Sequence, residues 1–105
     1  MSMGRLVRAV SVDELPMGSM RTVDVEGRPI LVANVDGVFY AIDAICSHEE
    51  WDLSEGVLEG GKVTCAGHGA VWDLATGTAE FEEELPRLTI YRTHVREGYV
   101  FVEVD

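Results

Sequence analysis

The sequence predicts a single all-β domain of short strands joined by tight turns. Five X-Gly dipeptides separate segments rich in Val, Ile, Thr, Tyr and Phe, the residue types that favour strands. These dipeptides are Glu26-Gly27, Asp36-Gly37, Gly60-Gly61, Thr76-Gly77 and Glu97-Gly98. Glycine supplies the positive φ that two-residue hairpin turns need. No segment has helical periodicity long enough for a full helix, and 105 residues make one domain with a modest core.

The predicted elements follow one another in a simple order along the chain. Ser11, four residues and then Pro16 predict a helix cap and a single helical turn that proline ends. Strands are predicted at Leu6–Val10, Met20–Val25, Arg28–Val35, Val38–Ile42, Val57–Leu58, Lys62–Cys65, Ala70–Asp73, Leu88–Val95 and Tyr99–Val104. The strands before Ala44 and after Leu85 are the long, regular ones. Within one domain over residues 1–105, they are expected to form a base that holds a loop-rich lobe at about residues 45–80.

Composition and charge indicate the cellular location of the protein and the classes of partner that it can bind. No apolar run approaches the roughly 20 residues that span a bilayer, and the first residues lack the apolar core of a signal peptide. A soluble, cytoplasmic protein is therefore expected, and it is also expected to be a monomer. The net charge of −11 argues against nucleic acid and anionic membranes as partners, because both would repel the chain. An acidic carrier suits a partner with a basic docking face.

Two short segments hold the residues with metal-binding chemistry. Cys46-Ser-His48 is followed, after sixteen residues, by Cys65-Ala-Gly-His68. Together they contain both cysteines and two of the three histidines. Ligation is preferred to a disulfide because a histidine follows each cysteine closely and the chain is expected to be cytoplasmic. Each segment supplies one sulfur and one nitrogen, so one metal could take both sulfurs and a second metal both nitrogens.

The order of the four ligands bears on which metal they hold. Zinc accepts a Cys₂His₂ set, but finger-type sites pair Cys with Cys and His with His along the chain. The tight Cys-x-His spacing is easier to satisfy when its two side chains bind different irons of a [2Fe–2S] cluster, as in a Rieske centre. The binuclear cluster is favoured, with a mononuclear zinc site as the alternative.

The ligand pattern and its flanks resemble those of the Rieske-type ferredoxins of bacterial ring-hydroxylating dioxygenases. The flanking similarity lies in the segment from Trp51 to Gly60, in Trp72-Asp73 and in Thr76-Gly77, and it extends from about Leu6 to Val104. The resemblance implies a Rieske fold of three stacked antiparallel sheets, with a small cluster-binding lobe inserted in a larger base. It also implies one [2Fe–2S] cluster per chain.

The resemblance assigns a role to each ligand position. Cys46 and Cys65 would bind the inner iron, whereas His48 and His68 would bind the outer iron near the surface. Gly67 and Gly69 would let the backbone approach the cluster and turn sharply. Backbone N–H groups of both segments would donate hydrogen bonds to the cluster sulfurs.

Four positions separate this chain from the respiratory Rieske proteins. Trp51 and Gly67 stand where those proteins have two cysteines in a disulfide. Ala70 and Trp72 stand where high-potential members have a serine and a tyrosine that donate hydrogen bonds to the cluster. With fewer donors, and with carboxylates nearby at residues 49 and 50, the reduction potential is expected toward the low end of the roughly −150 to +300 mV Rieske range.

The implied function is one-electron transfer without bond chemistry, so no catalytic residue is expected. The partners would be an NAD(P)H-dependent flavin-containing reductase and a terminal oxygenase, first of all a ring-hydroxylating dioxygenase. The alternatives are an electron-transfer component of a diiron monooxygenase and a nitrite reductase small subunit. A zinc module and a redox or iron sensor are further possibilities from other functional classes.

Other chemistry-bearing residues are given structural roles. His94 is expected to be a surface or half-buried strand residue and not a ligand. Trp51 and Trp72 are expected to pack the lobe around the cluster. An acidic cluster, expected to be a solvated loop or a docking patch for a basic partner, comprises Glu80, Glu82, Glu83 and Glu84.

Overall fold

The computed structural model describes residues 4–46, 51–67 and 69–104, which form strands in three antiparallel sheets and two short 3₁₀ turns. The strands are β1 (Arg5–Ser11), β2 (Met20–Val25), β3 (Arg28–Val35), β4 (Val38–Asp43), β5 (Val57–Glu59), β6 (Lys62–Thr64), β7 (Val71–Asp73), β8 (Ala79–Glu80), β9 (Ile90–Tyr91), β10 (Thr93–Arg96) and β11 (Tyr99–Val104). The 3₁₀ turns are Val12–Glu14, capped by Ser11 as expected, and Leu53–Glu55. The predicted all-β class is confirmed. In this part of the chain no helix has the length and apolarity to cross a membrane.

Two sheets make the base. One has the strand order β1-β11-β10 and the other β2-β3-β4-β9. Their hairpins turn at Glu26-Gly27, Asp36-Gly37 and Glu97-Gly98, where φ is 53° and 85°, 52° and 92°, and 50° and 83°. Positive φ at both central positions matches the twist of the flanking strands. The three predicted hairpin turns of the base are therefore confirmed.

The third sheet, β5-β6-β7-β8, runs from Val57 to Glu80 and lies within the segment expected to form the lobe. Its register places Val63 opposite Trp72, and Trp72 opposite Ala79. Strand β8 was not predicted, because two residues are too few to carry an alternating pattern.

The single strand predicted at Leu88–Val95 is wrong. Strand β9 pairs with β4 in one base sheet, whereas β10 pairs with β11 in the other. Arg92 lies between them, and its carbonyl accepts a hydrogen bond of 2.9 Å from the Glu103 N–H. The run of strand-forming residues continues across this point, so only the tertiary partners decide where the chain changes sheets.

Strand β3 separates two cores because successive side chains of a strand point to opposite faces. Ile30 and Val32 pack into the core between the two base sheets, with Val100 and Val102. Leu31 and Ala33 pack into the core that contains the lobe residues. This second core contains both cysteines, together with Ile42, Ala44, Leu53, Val63, Ala70, Trp72, Leu74 and Leu88.

Candidate metal centre

The first ligand loop, residues 46–51, is closed at its base by backbone pairing. The Cys46 N–H donates to the Trp51 carbonyl at 2.8 Å, and the Leu53 N–H donates to the Ala44 carbonyl at 2.7 Å. Ile45 and Asp52 form an antiparallel bridge between these two bonds. The two ends of the loop are thus fixed at the end of β4, next to the lobe core.

The second ligand loop, residues 65–70, connects β6 to β7. The Cys65 N–H donates to the Ala70 carbonyl at 2.8 Å, and the Gly69 N–H donates to the Cys65 carbonyl at 3.1 Å. Gly69 has a φ of 76°, so the sharp turn expected there is confirmed. Both of these N–H groups, and that of Cys46, donate hydrogen bonds within the loops. The expected hydrogen bonds from loop N–H groups to the cluster sulfurs stay a prediction.

The two cysteines are buried in the same core. Cys46 is 1% exposed and Cys65 is 2% exposed, and neither is in a disulfide. They enter this core from different loops, one after β4 and one after β6. The fold therefore places in one buried core two thiol groups that are nineteen positions apart in the chain.

His48 and His68 lie outside the described residues, so their predicted ligation stays a prediction. The described chain positions their neighbours, since the first loop is closed around residues 47–50 and Gly67 and Gly69 flank residue 68. Over residues 4–46, 51–67 and 69–104, no group of three or more His, Cys, Asp or Glu side chains is placed to hold a metal ion. The predicted four-ligand set would combine the two buried sulfurs with His48 and His68, which lie outside that part of the chain.

Asp52 is a site residue that the sequence analysis missed. Its Oδ1 accepts hydrogen bonds from Thr22 Oγ1 at 2.6 Å, from the Ser54 N–H at 2.9 Å and from Ser54 Oγ at 2.8 Å. Burial would raise the pKa of Asp52, but these hydrogen bonds outweigh it and hold the pKa below its usual value. Asp52 caps the 3₁₀ turn Leu53–Glu55 and ties the end of the first ligand loop to β2. An aspartate just before Leu-Ser-Glu was the available signal.

We expect Asp52→Asn to destabilise the fold at neutral pH and to have little effect in acid. A hydrogen bond to a carboxylate contributes about 1 kcal/mol more than one to a neutral amide. Because the folded pKa is lowered, this stabilisation is present above the pKa of the unfolded chain and is lost as the pH falls through the folded pKa. Thermal unfolding of both proteins between pH 7 and about pH 3 measures the difference. A difference that stays constant across this range would contradict the role of the carboxylate.

The indole N–H of Trp72 is a buried donor in the core that contains Cys46 and Cys65. Its side chain is 0% exposed, and its Nε1–H has no hydrogen-bond partner among the described residues. Leaving a buried donor unpaired costs about 1–3 kcal/mol. Thiolate or sulfide acceptors in the core of Cys46 and Cys65 would suit such a donor. Two buried thiols and an unused donor in one core fit a group that is held through sulfur.

A comparison with protein-family models decides which family this is. The model of the Rieske [2Fe-2S] domain matches residues 5–92. The chain belongs to the Rieske family. Its cofactor is a Rieske-type [2Fe–2S] cluster, which favours the binuclear cluster over the zinc alternative.

Relatives of this Rieske chain are named as ferredoxins of dioxygenase systems. The biphenyl dioxygenase ferredoxin subunit of Pseudomonas sp. (strain KKS102) is 34% identical over 97 residues, covering 91% of this chain and 89% of that protein. The biphenyl 2,3-dioxygenase ferredoxin component of Rhodococcus jostii (strain RHA1) is 40% identical over 90 residues, covering 86% of this chain and 81% of that protein.

Solved ferredoxin structures share the fold of this Rieske chain. The Sphingomonas yanoikuyae B1 ferredoxin has a TM-score of 0.88 at 26% identity, covering 96% of this chain and all of that one. A chain from the complex of reduced oxygenase and oxidized ferredoxin in carbazole 1,9a-dioxygenase has a TM-score of 0.84 at 30% identity, covering 92% of this chain and 91% of that one. The predicted arrangement of three antiparallel sheets is confirmed.

The remaining sequence-predicted residues lie outside the two ligand loops. His94 is half-buried on β10 opposite Phe101, and its Nε2 lies 3.4 Å from Glu103 Oε1. The expected strand role of His94 is confirmed. In the acidic cluster, Glu80 belongs to β8 and lies 3.5 Å from Lys62 Nζ, and the other three carboxylates are exposed. Trp72 packs inside the lobe core, whereas Trp51 is 42% exposed.

Proposed function

We propose that this chain is a one-electron carrier with one Rieske [2Fe–2S] cluster per chain, held by Cys46, His48, Cys65 and His68. It would receive electrons from an NAD(P)H-dependent flavin-containing reductase and pass them to a terminal ring-hydroxylating dioxygenase. The observation that carries the proposal is the pair of buried cysteines on two adjoining loops of a Rieske domain. The names of the relatives support the carrier role.

The cysteine and histidine ligands would bind different irons of the cluster. The thiolates of Cys46 and Cys65 would bind the iron that faces the interior, and the two imidazoles would bind the iron nearer the surface. When bound, the cluster supplies a one-electron step between its diferric and mixed-valence states. Ala70 is buried and has no side-chain donor, which supports a potential toward the low end of the Rieske range.

The identity of the terminal partner is supported by the relatives and by charge. The relatives named above belong to dioxygenase systems, and a similar chain occurs in a complex of oxygenase and ferredoxin. A dioxygenase is therefore preferred to a diiron monooxygenase or a nitrite reductase. The net charge of −11 and the exposed carboxylates at residues 82–84 suit a basic docking face on either partner.

We also propose a domain organisation, an oligomeric state and a cellular compartment for this carrier. Residues 1–105 would be one Rieske domain with its cluster-binding lobe at about residues 45–80, which agrees with the sheet from Val57 to Glu80. The protein would be a cytoplasmic monomer. Thiol ligands outside a disulfide suit a reducing compartment.

Anaerobic reduction of the purified protein tests the cofactor and its potential together. We expect two irons and two sulfides per chain, one unpaired electron after reduction, and a midpoint potential in the lower part of the roughly −150 to +300 mV range. A colourless protein that contains zinc would contradict the cluster, and a clearly positive midpoint would contradict the expected potential. NADH oxidation with a biphenyl dioxygenase and its reductase, with and without this chain, tests the carrier role.

A further inference from the structure

The indole ring of Trp51 lies directly against the backbone of Gly67. A Cβ atom added at Gly67 would be 2.5 Å from Trp51 Nε1, 3.0 Å from Cγ and closer still to Cδ1. A real Cβ cannot approach other atoms this closely, so any larger residue at position 67 would displace the ring. The φ of Gly67 is outside the left-handed range, unlike that of Gly69. Glycine is therefore needed at position 67 for space and not for backbone conformation.

This contact joins the two ligand loops. Trp51 is the last residue of the first ligand loop, and its carbonyl accepts the hydrogen bond from the Cys46 N–H. Gly67 belongs to the second ligand loop, two positions after Cys65 and directly before residue 68. The contact therefore links a residue bonded to one cysteine with a residue next to a predicted histidine ligand.

The contact lies on the solvent side of the lobe. Trp51 is 42% exposed, whereas Cys46 and Cys65 are almost completely buried. Burial of apolar area alone would favour a fully enclosed ring, as at Trp72. The ring of Trp51 instead packs against Gly67 while part of its surface stays in solvent, so it can join the two loops outside the enclosed core.

We propose that Trp51 is a positioning residue, and that the Trp51–Gly67 pair, here named the loop clasp, holds the two ligand loops at the separation that the cluster requires. The inference rests on the proposed ligand set. The clasp acts without a covalent bond, through the fit of a flat ring against a residue that has no side chain. Opening it would let the loop carrying residue 68 move away from the loop carrying residue 48, and the cluster would be lost faster.

A double-mutant cycle isolates the clasp from other effects of each substitution. It compares the wild type with Trp51→Ala, Gly67→Ala and the double variant, using the decay of visible absorbance in the presence of an iron chelator. Truncation of a partly exposed side chain predicts roughly a two- to fivefold faster loss for Trp51→Ala. Gly67→Ala should lose the cluster at least as fast, but should add nothing in the Trp51→Ala background, where no ring is displaced.

Two further variants complete the design. Gly61→Ala is the matched control, because Gly61 also lacks a positive φ and its added Cβ would meet nothing within 4 Å. It should lose the cluster at the wild-type rate. Trp51→Phe keeps a flat ring and should restore most of the retention. The EPR line shape and midpoint potential of the reduced protein should shift in Trp51→Ala but not in Gly61→Ala, which a general loss of stability would not produce.

The outcomes separate this inference from the proposed function. The inference about the loop clasp is wrong if Gly67→Ala speeds cluster loss equally with and without the ring of Trp51, or if Trp51→Ala loses its cluster at the wild-type rate. Neither result would contradict the proposed ligand set. If Gly67→Ala does not fold, the comparison of Trp51→Ala with Trp51→Phe still decides. A wild-type protein without an iron–sulfur spectrum would overturn the ligand set and the clasp with it.

Discussion

His68→Ala is expected to abolish the visible absorption of the iron–sulfur cluster, whereas His94→Ala is expected to leave it intact. The His68→Ala substitution would remove one of the two imidazoles that we propose as ligands of the outer iron. His94 lies on β10 in the base sheet that contains β1 and β11, and its Nε2 lies 3.4 Å from Glu103 Oε1. Absorption spectra and the iron and sulfide content of the purified proteins measure the difference.

The cysteine on the same loop provides an independent check. Cys65→Ala should also abolish the visible absorption, because it removes one of the two buried sulfurs that we propose as ligands of the inner iron. His94→Ala controls for the general effect of removing an imidazole from this fold. If His68→Ala kept the wild-type spectrum, or if His94→Ala lost it, the assignment of the ligands would be incorrect.

Trp72→Ala is expected to lower the free energy of unfolding by about 3–5 kcal/mol, the range measured for large-to-small substitutions of buried aromatic residues. Trp72 is completely buried, and it lies in the lobe sheet between Val63 on β6 and Ala79 on β8. Neither strand could close the cavity without breaking its backbone pairing. Since small domains have about 5–15 kcal/mol in total, the variant would be marginally stable. Urea unfolding followed by circular dichroism measures the change.

Trp51→Ala is the control for Trp72→Ala. Its side chain is 42% exposed, so its removal leaves no enclosed cavity and should cost about 1 kcal/mol or less. The two tryptophans should therefore differ in their effect on the free energy of unfolding, which is large for Trp72 and small for Trp51. Equal losses of unfolding free energy would contradict this division.

Local chemistry predicted the hairpins of the base. A residue that tolerates positive φ, followed by glycine and flanked by strand-forming residues, specifies the turn at Glu26-Gly27, and the same holds at Asp36-Gly37 and Glu97-Gly98. The break at Arg92 could not be predicted in this way. No residue there interrupts the strand pattern, and the chain changes sheets because its two halves find different partners.

The site shows the same division between local and tertiary information. Cys46 and Cys65 could be identified from their spacing to histidines, and the structure brings both into one core. Gly67 and Gly69 look alike in sequence, yet one provides space for a ring and the other a positive φ. That distinction depends on Trp51, which is sixteen positions from Gly67 in the chain and contacts it only because the two loops adjoin.

The position of β3 has a consequence for how this carrier can move. One face of the strand packs with the base sheet β1-β11-β10, and the other packs into the core that contains the cysteines. A hinge between the lobe and the base would have to open the core that contains the cysteines, on one face of β3. The core on the other face of β3 holds the strand in place and opposes this movement. We therefore expect the lobe and the base to move together, so that the proposed carrier would deliver its electron by diffusing to its partner and not by swinging the cluster on a hinge.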